Sequence, residues 1–344
     1  MLRKGHLLYW TLFTLLGLAF LGRVPQASAA DGVSFILDWV PYGKHAPFYL
    51  GVDKGIYKQY GLDVKVLSGK GSGLSIKSVG AKGVEYAHAD AGSLILARAN
   101  EPNLRVKLIA MLHHNPLFNV VMLAKSPINS PKDLEGKKVG SPVVNSTRIV
   151  FPAFAELAKF DPNKVVWVDM EASAQNSSLF AERVDAIASY ATQIPPMERM
   201  AQQLGKPIKS ITFADYGLDV YSNGIIAHED IIKNQSSLTR RFIIASLEAV
   251  KWSVEHPQEA IDVFLKHHPN SDRYIARGQF NVSVDVLLTK ETMKTGIGFM
   301  NRDKMERTID LMVRFYKGLK RKPSPEEIYT NEFVAVFPAK PKNM

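Results

Sequence analysis

Apolar stretches of strand length alternate with stretches of helical length along most of this chain. The segment 33–39 (VSFILDW) is typical of a strand buried on both faces of a parallel sheet. The segments 62–67 (LDVKVL) and 104–112 (LRVKLIAML) are predicted as further strands. Their alternation with short helices predicts βαβ units. The alternation restarts at 130–142 (SPKDLEGKKVGSP), so the pattern indicates two α/β units of similar design.

Extended segments flank the second unit. We interpret 118–125 (FNVVMLAK) and 219–228 (DVYSNGIIAH) as strands that cross from one unit to the other and back. The segment 46–61 (APFYLGVDKGIYKQYG) is predicted as one helix that ends at Gly61 in a left-handed cap. After the second crossing the pattern becomes helical, in the segments 237–256, 257–268 and 303–319.

The N-terminal residues 1–29 are predicted to be a secretory signal peptide. Arg3 and Lys4 precede an apolar run, and 27–29 (Ala-Ser-Ala) supplies the small residues of a cleavage site after Ala29. An uncleaved membrane anchor is the alternative. The chain has no cysteine, which excludes disulfides and a lipid-modified cysteine. The formal net charge is +10, but the basic residues form no basic helix, so nucleic acid is not an expected partner.

One strand end gathers side chains suited to a flat ligand. Asp38, Trp39, Tyr42 and His45 lie in a turn-rich stretch between the first strand and the next helix. Trp39 and Tyr42 offer ring faces for stacking, and His45 can donate or accept a hydrogen bond near neutral pH. Asp38 can accept hydrogen bonds from ring amino groups. Alternatively, Trp39 packs in the core and His45 has internal partners.

Three more candidates follow later strands. Gly71 lies in the loop SGKGSG ahead of a helix, where backbone N–H groups either face an anion or form a tight turn. Ser93 either faces a ligand or is an ordinary helix cap. Asn115 follows His113 and His114, a pair without a third metal ligand at suitable spacing. We therefore expect a polar contact through Asn115 and no metal site.

Four motifs give the chain a resemblance to a known family. They lie at 37–66 (LDWVPYGKHAPFYLGVDKGIYKQYGLDVKV), 83–99 (GVEYAHADAGSLILARA), 130–142 and 329–334 (YTNEFV). On these motifs the chain resembles the type II periplasmic substrate-binding proteins of ABC importers. Within them it is most similar to the branch of thiamine-pyrimidine-precursor, sulfonate, taurine and nitrate binders. The first motif is characteristic of the pyrimidine-binding branch.

The resemblance implies an α/β fold of two lobes, each a mainly parallel sheet with flanking helices, joined by two extended crossovers. Residues 30–118 and 225–344 would form lobe 1, and 119–224 lobe 2. The ligand would be held in the cleft between the lobes by hinge closure. The protein would be periplasmic and monomeric and would deliver a small molecule to an ABC permease and its ATPase, without a cofactor.

In the second lobe, Asn145, Ser146 and Thr147 lie at a helix start. Backbone amides and hydroxyls at such a position can bind an oxyanion or the polar groups of a ring. Tyr190 ends a strand and would form the wall of the cleft opposite Trp39. These positions suit either a ring or a small anion.

The identity of the ligand stays open between two classes. In the pyrimidine-precursor branch an acidic residue is expected shortly after Tyr190, but this chain has Thr192 and Gln193 there. We favour a planar heterocycle of the pyrimidine kind, with an alkanesulfonate, taurine or nitrate as the alternative. Tyr221 and Asn223, on the returning crossover, complete the predicted ligand-binding residues.

An enzyme is the third possibility. The fold family includes eukaryotic pyrimidine synthases that resemble the chain around YGKHAP. In such an enzyme Lys44 would carry pyridoxal phosphate and the His45 side chain would be consumed in the reaction. Those enzymes carry a cysteine-rich motif, whereas this chain contains no cysteine. The sequence offers no nucleophile elbow and no zinc-protease motif. We therefore predict a binding protein and not an enzyme.

Overall fold

The computed structural model describes residues 30–143, 145–316 and 318–334, and in them ten strands form two five-stranded sheets. The predicted signal peptide at 1–29 lies outside the described residues. In chain order the strands are β1 (Asp31–Ile36), β2 (Leu62–Leu67), β3 (Tyr86–Asp90), β4 (Val106–Met111), β5 (Phe118–Leu123), β6 (Lys138–Ser141), β7 (Val166–Asp169), β8 (Ala186–Tyr190), β9 (Ile208–Thr212) and β10 (Asn223–His228).

Helices connect and cover these strands. They are α1 (Ala46–Asp53), α2 (Ile56–Gln59), α3 (Ser72–Gly80), α4 (Ala91–Asn100), α5 (Ser146–Leu157), α6 (Gln175–Phe180), α7 (Ile194–Leu204), α8 (Glu229–Asn234), α9 (Ser236–Glu255), α10 (Pro257–His267), α11 (Arg273–Leu287), α12 (Thr292–Thr295), α13 (Arg302–Phe315) and α14 (Pro325–Ile328). Short 3-10 turns lie at Gly43–His45, Pro131–Leu134, Pro162–Lys164, Ala172–Ala174, Ala191–Gln193 and Phe213–Tyr216. Within the described ranges, no helix combines the length and the apolar character needed to cross a bilayer.

The two sheets have the orders β2-β1-β3-β10-β4 and β7-β6-β8-β5-β9. Strand β10 runs antiparallel to β3 and β4, and β5 runs antiparallel to β8 and β9. These are the two predicted crossing strands, and each lies next to an edge strand of its sheet. We call the first sheet with its helices lobe 1 and the second sheet with its helices lobe 2. The predicted fold of two mainly parallel α/β lobes is thereby confirmed.

The strand pairing adds detail to the predicted lobe boundaries, which stay a prediction. It places Phe118 in the sheet of lobe 2 and Asn223 in the sheet of lobe 1. Every residue of β5 and of β10 is buried, as the apolar character of the crossing segments suggests.

Two local expectations differ from the structure. The helix predicted at 46–61 is broken into α1 and α2, because Gly55 between them has a φ of 74°, outside the helical region. Gly61 has a φ of 69°, so the predicted left-handed position is confirmed. The edge strand β9 and the helix α11 were not anticipated from the sequence.

Buried aromatic side chains fill the space between sheets and helices. In lobe 1, Phe242 of α9 stacks on Tyr86 with 4.2 Å between ring centroids. In lobe 2, Phe154 of α5 stacks on Phe213 at 3.9 Å. This packing covers the sheets with helices and leaves the loops after the carboxyl ends of the parallel strands to carry polar side chains.

Candidate functional site

The loop after β1 carries a buried carboxylate with four polar partners. Asp38 is 8% exposed, and its Oδ2 accepts from Lys44 Nζ at 2.6 Å and from Asn223 Nδ2 at 3.1 Å. Its Oδ1 lies 2.7 Å from His45 Nε2 and 3.0 Å from His88 Nδ1. Burial would raise the pKa of Asp38, but Lys44 and the two histidines hold it well below its usual value. Asp38 is therefore an ionised anchor at the base of the loop.

His45 is fully buried and both of its ring nitrogens are engaged. Its Nδ1 accepts a hydrogen bond from the Tyr42 backbone N–H at 3.0 Å, so Nε2 carries the proton and donates to Asp38. Burial lowers the pKa of His45 to about 4 although Asp38 opposes the shift, so the ring is neutral near pH 7. In the structure the His45 ring holds the turn that presents Tyr42 and has internal partners at both nitrogens, which is the alternative stated for it above.

Asp38, His45 and His88 also have the composition of a metal site. One ligand atom from each lies within 4.8 Å of the others. The Lys44 ammonium occupies one carboxylate oxygen, however, and the two imidazoles both bond the other oxygen. Both oxygens of the Asp38 carboxylate are therefore already engaged, by one ion pair and two charge-assisted hydrogen bonds.

The paired histidines diverge instead of chelating. The ring of His113 lies 5.4 Å from that of His88, near the Asp38 cluster, whereas His114 packs its edge against Tyr221 at 5.5 Å. The two side chains thus pack in different parts of the structure.

Trp39 and Tyr42 are the accessible rings of this loop. Trp39 is 41% exposed and Tyr42 is half-buried. The glycine loop supports Trp39, since a Cβ on Gly71 would lie 3.6 Å from its ring. The Gly71 N–H donates to the Asp38 carbonyl at 2.9 Å, and the Gly69 N–H donates to that of Trp39 at 3.1 Å. These two amides are used within the protein, so the tight-turn interpretation of the glycine loop holds.

Asp90, at the end of β3, was not recognised in the sequence. It caps α4 through Oδ1, which accepts from the backbone N–H of Ser93 at 2.8 Å and from its hydroxyl at 2.9 Å. Ser93 is thus committed to the cap. Burial raises the pKa of Asp90 to about 6, with the neighbouring Asp38 adding to the rise. Asp90 is a second acid at the same sheet edge, without the cation that Asp38 has in Lys44.

The start of α5 divides its predicted site residues into two groups. Asn145 caps the helix, because its Oδ1 accepts from the backbone N–H groups of Thr147 at 2.9 Å and Arg148 at 3.4 Å. Thr147 is buried and donates its hydroxyl to the Ser189 carbonyl at 3.0 Å. Ser146, half-buried, is the member of this group that remains beside the cleft.

Tyr190, at the end of β8, faces lobe 1. Burial raises the pKa of its phenol well above the usual value, and the charge of Asp90 raises it further, whereas the facing Ser146 lowers it. The charge of an acid in the opposite lobe thus acts on Tyr190. Its ring packs against Phe118 with 5.3 Å between centroids.

A hydrogen bond joins the lobes at the rim of the cleft. The Gln193 side-chain amide donates from Nε2 to the Tyr42 hydroxyl over 3.2 Å. Tyr42 therefore makes a contact between lobes in addition to any ligand contact.

Two predicted residues belong to a different cluster. Tyr221 is buried, donates its hydroxyl to Glu291 at 2.6 Å and accepts from the Asn301 N–H at 2.7 Å. Asn115 accepts from Lys304 Nζ at 3.4 Å, and Lys304 in turn lies 3.5 Å from Glu291. In the structure the polar groups of both residues bind the helices at the back of the crossovers.

Comparison with known proteins places the chain in context. Residues 43–260 match the family model described as NMT1/THI5 like. The formylaminopyrimidine-binding protein of Halalkalibacterium halodurans is 26% identical over 282 residues, which cover 80% of this chain and 84% of that protein. The riboflavin-binding protein RibY of Chloroflexus aurantiacus is 26% identical over 314 residues, which cover 88% and 86%.

Solved structures extend the likeness of the fold. The periplasmic aliphatic sulphonate binding protein SsuA of Escherichia coli superimposes with a TM-score of 0.69 at 11% identity, over 86% of this chain and 91% of that one. At this identity the likeness concerns the fold, and it agrees with the two-lobed architecture described above.

Proposed function

The chain belongs to the NMT1/THI5-like family, and on that premise we propose that it is the solute-binding component of an ABC importer. It captures a small planar heterocycle between its lobes. The names of two relatives, for formylaminopyrimidine and for riboflavin, both specify flat nitrogen heterocycles. A cleft between two domains is also a favoured position for a small-molecule site.

The proposal rests on Asp90, a buried acid at the end of β3 in lobe 1, and on Tyr190, a ring at the end of β8 in lobe 2. The Tyr190 ring and the exposed Trp39 ring supply flat apolar faces from opposite lobes. The Oδ1 of Asp90 is used in capping α4, which leaves Oδ2 for a ring amino group or ring N–H. The acid that the sequence lacks after Tyr190 is thus supplied by the facing lobe. We therefore assign amino-bearing heterocycles as the preferred ligands.

A small oxyanion is the second candidate. Ser146 at the N-terminus of the twelve-residue helix α5 favours it, because N-terminal amides attract negative charge. Asp90 opposes it, since an uncompensated carboxylate facing the same cleft repels an anion. The balance of charge favours the heterocycle.

An enzymatic role is the weaker alternative. Lys44 would have to carry pyridoxal phosphate in a synthase, but its side chain is 7% exposed and its Nζ lies 2.6 Å from Asp38 Oδ2. Forming an imine requires a reachable amine, whereas this one is buried against a carboxylate. The described residues therefore suit binding, with the permease and ATPase as partners and the periplasm as location.

A thermal-shift screen tests the ligand class. The chain from Ala30 would be melted with aminopyrimidines, thiamine, riboflavin, taurine, alkanesulfonates and nitrate. A ligand that binds the folded state alone raises the melting temperature. We expect a shift with aminopyrimidines or riboflavin that is lost in Trp39→Ala and reduced in Asp90→Asn. A shift with sulfonates or nitrate alone, lost in Ser146→Ala, would replace this proposal with the oxyanion function.

A further inference from the structure

Helix α11 lies between the loop after β1 and lobe 2. The Gly43 N–H donates to Gln279 Oε1 at 3.0 Å, and a Cβ on Gly43 would come within 1.8 Å of the Ala276 carbonyl oxygen. The backbone that precedes Lys44 is therefore pressed against α11 with no space for a side chain. Any movement of α11 is transmitted to the turn that carries Tyr42.

The same helix meets lobe 2 through a second glycine. A Cβ on Gly278 would lie 2.6 Å from the Cβ of Pro195, near the start of α7. Real Cβ atoms do not approach so closely, and the proline ring has little freedom to move aside. The lobes can therefore meet here only because residue 278 has no side chain.

A hydrogen bond lies beside this contact. Gln193 precedes α7 directly and donates to the Tyr42 hydroxyl, as described above, at 3.2 Å. The rim of the cleft thus has a steric contact at Gly278 and Pro195 and a polar contact at Gln193 and Tyr42. On the lobe 2 side both contacts come from residues 193–195, and on the lobe 1 side they come from α11 and from the loop after β1.

We infer that Gln193 and Gly278 are positioning residues for ligand capture, which hold the lobes together in a clasp made of Tyr42, Gly43, Gln193, Pro195 and Gly278. The inference rests on the proposed function, because closing the lobes matters where it encloses a solute. A ligand held by both lobes binds only the closed population, so its apparent dissociation constant rises as that population falls. The clasp itself is independent of the identity of the solute.

The variant Gly278→Ala separates closure from folding. Alanine is a better helix former than glycine, so the variant favours α11 itself. Its new methyl group nevertheless collides with Pro195 and drives the lobes apart. Gly32→Ala in β1 is the matched control, since a Cβ there meets no atom within 4 Å. Gln193→Ala and Tyr42→Phe remove the polar contact from either side.

The separation of the lobes is measured directly with spin labels. Because the chain has no cysteine, Lys65→Cys in lobe 1 and Lys132→Cys in lobe 2 give a unique labelled pair at exposed positions. Pulsed electron spin resonance then reports the distribution of distances in full-length protein without ligand. We expect longer distances in Gly278→Ala and in Gln193→Ala, and an unchanged distribution in Gly32→Ala.

Affinity gives the second readout, with riboflavin and the aminopyrimidines of the screen as probes. We expect Gly278→Ala to weaken binding by about tenfold, and Gln193→Ala by about fivefold, the value of one hydrogen bond. Adding Tyr42→Phe to Gln193→Ala should not widen the distance distribution further, because both changes remove the same hydrogen bond of the clasp.

The outcomes are distinguishable. Unchanged distances in both Gly278→Ala and Gln193→Ala overturn the clasp, whatever ligand the screen finds. Longer distances with a raised or equal melting temperature support it, even where no probe binds and the proposed ligand class fails. If Gly278→Ala lowers the melting temperature, the test rests on the distances measured in Gln193→Ala, since that change adds no atom to the interface.

Discussion

The side-chain amide of Asn223 donates to Oδ2 of Asp38 over 3.1 Å, and it joins the returning crossover to the loop after β1. Both residues are buried, and Lys44 supplies the counter-charge at 2.6 Å. A single ionised carboxylate therefore fixes the positions of three segments that are far apart in the chain. The rim of the cleft depends on it.

Asp38→Asn should destabilise the protein by about 3–5 kcal/mol, because it leaves the Lys44 ammonium buried without its partner. Urea unfolding near pH 7 measures the loss. The exposed Asp63→Asn is the control and should change the free energy of unfolding by less than about 0.5 kcal/mol. Equal effects for the two variants would show that the Asp38 network contributes nothing to stability.

The contributions of Asp38 and Asp90 to the free energy of unfolding change with pH in opposite directions. The pKa of Asp38 lies below its unfolded value, so its contribution is complete above about pH 4 and is lost at lower pH. The pKa of Asp90 is raised to about 6, so folding favours its protonated form. Its contribution is most favourable below about pH 4 and falls as the pH rises through 6.

Asp90→Asn should therefore stabilise the free protein near pH 7 by roughly 1–3 kcal/mol, because the buried charge disappears while asparagine still caps α4. Unfolding curves across the pH range test this expectation. The parent protein should lose stability relative to the variant between pH 4 and 6. A parallel pair of profiles would show that Asp90 titrates normally in the folded protein.

Ligand binding should show the complementary dependence. An amino group of the heterocycle needs the ionised form of Asp90, so the affinity should rise as the pH increases through about 6. Isothermal titration of the parent protein and of Asp90→Asn measures this, and the rise should be absent from the variant. A pH-independent affinity in the parent would remove Asp90 from the ligand contacts.

The architecture was predictable because parallel strands covered on both faces leave continuous apolar runs in the sequence. Helix α11 was not, since its segment contains Gly278 and several β-branched residues, which are weak helix formers. Its position is determined by packing against the loop at Gly43 and against Pro195 of the other lobe. Such contacts between distant segments have no local signal.

The segments that form the candidate site were predictable from the sequence, but the hydrogen-bond partners of their side chains were not. Trp39 and Tyr190 follow or end strands, as the sequence suggested, but Asp90 was not among the predicted site residues. His45 and Thr147 have the right chemistry, yet their polar atoms bond Asp38 and the Ser189 carbonyl. Whether a polar side chain is free depends on partners that only the folded chain brings together.

Trp39→Ala should weaken binding of a planar heterocycle by about tenfold or more, since stacking on an aromatic ring contributes on the order of 1 kcal/mol beyond the buried area. The ring is 41% exposed, so the melting temperature of the free protein should change little. Leu204→Ala is the control. This exposed side chain ends α7, about 15 Å along the helix from the cleft. Full binding by a stable Trp39→Ala would remove the ring from the ligand contacts.

Lys304→Ala tests the cluster behind the crossovers. The Lys304 side chain is buried and lies 2.6 Å from Asp219 and 3.5 Å from Glu291. Burial would raise the pKa of Glu291, but His114, Tyr221 and Lys304 hold it at about 2, so the carboxylate is ionised. Without Lys304 both Glu291 and Asp219 lose a cationic partner, and the free energy of unfolding should fall by about 3–5 kcal/mol.

The exposed Lys322→Ala, which breaks a surface ion pair with Asp310, is the matched control and should cost less than about 1 kcal/mol. Affinity for the heterocycle, measured on folded protein, should be unchanged in both variants, because Asn115 and Tyr221 bind the Lys304 cluster and not the ligand. If Lys304→Ala instead weakened binding while its unfolding curve matched that of the parent, Asn115 and Tyr221 would have to be restored to the ligand site.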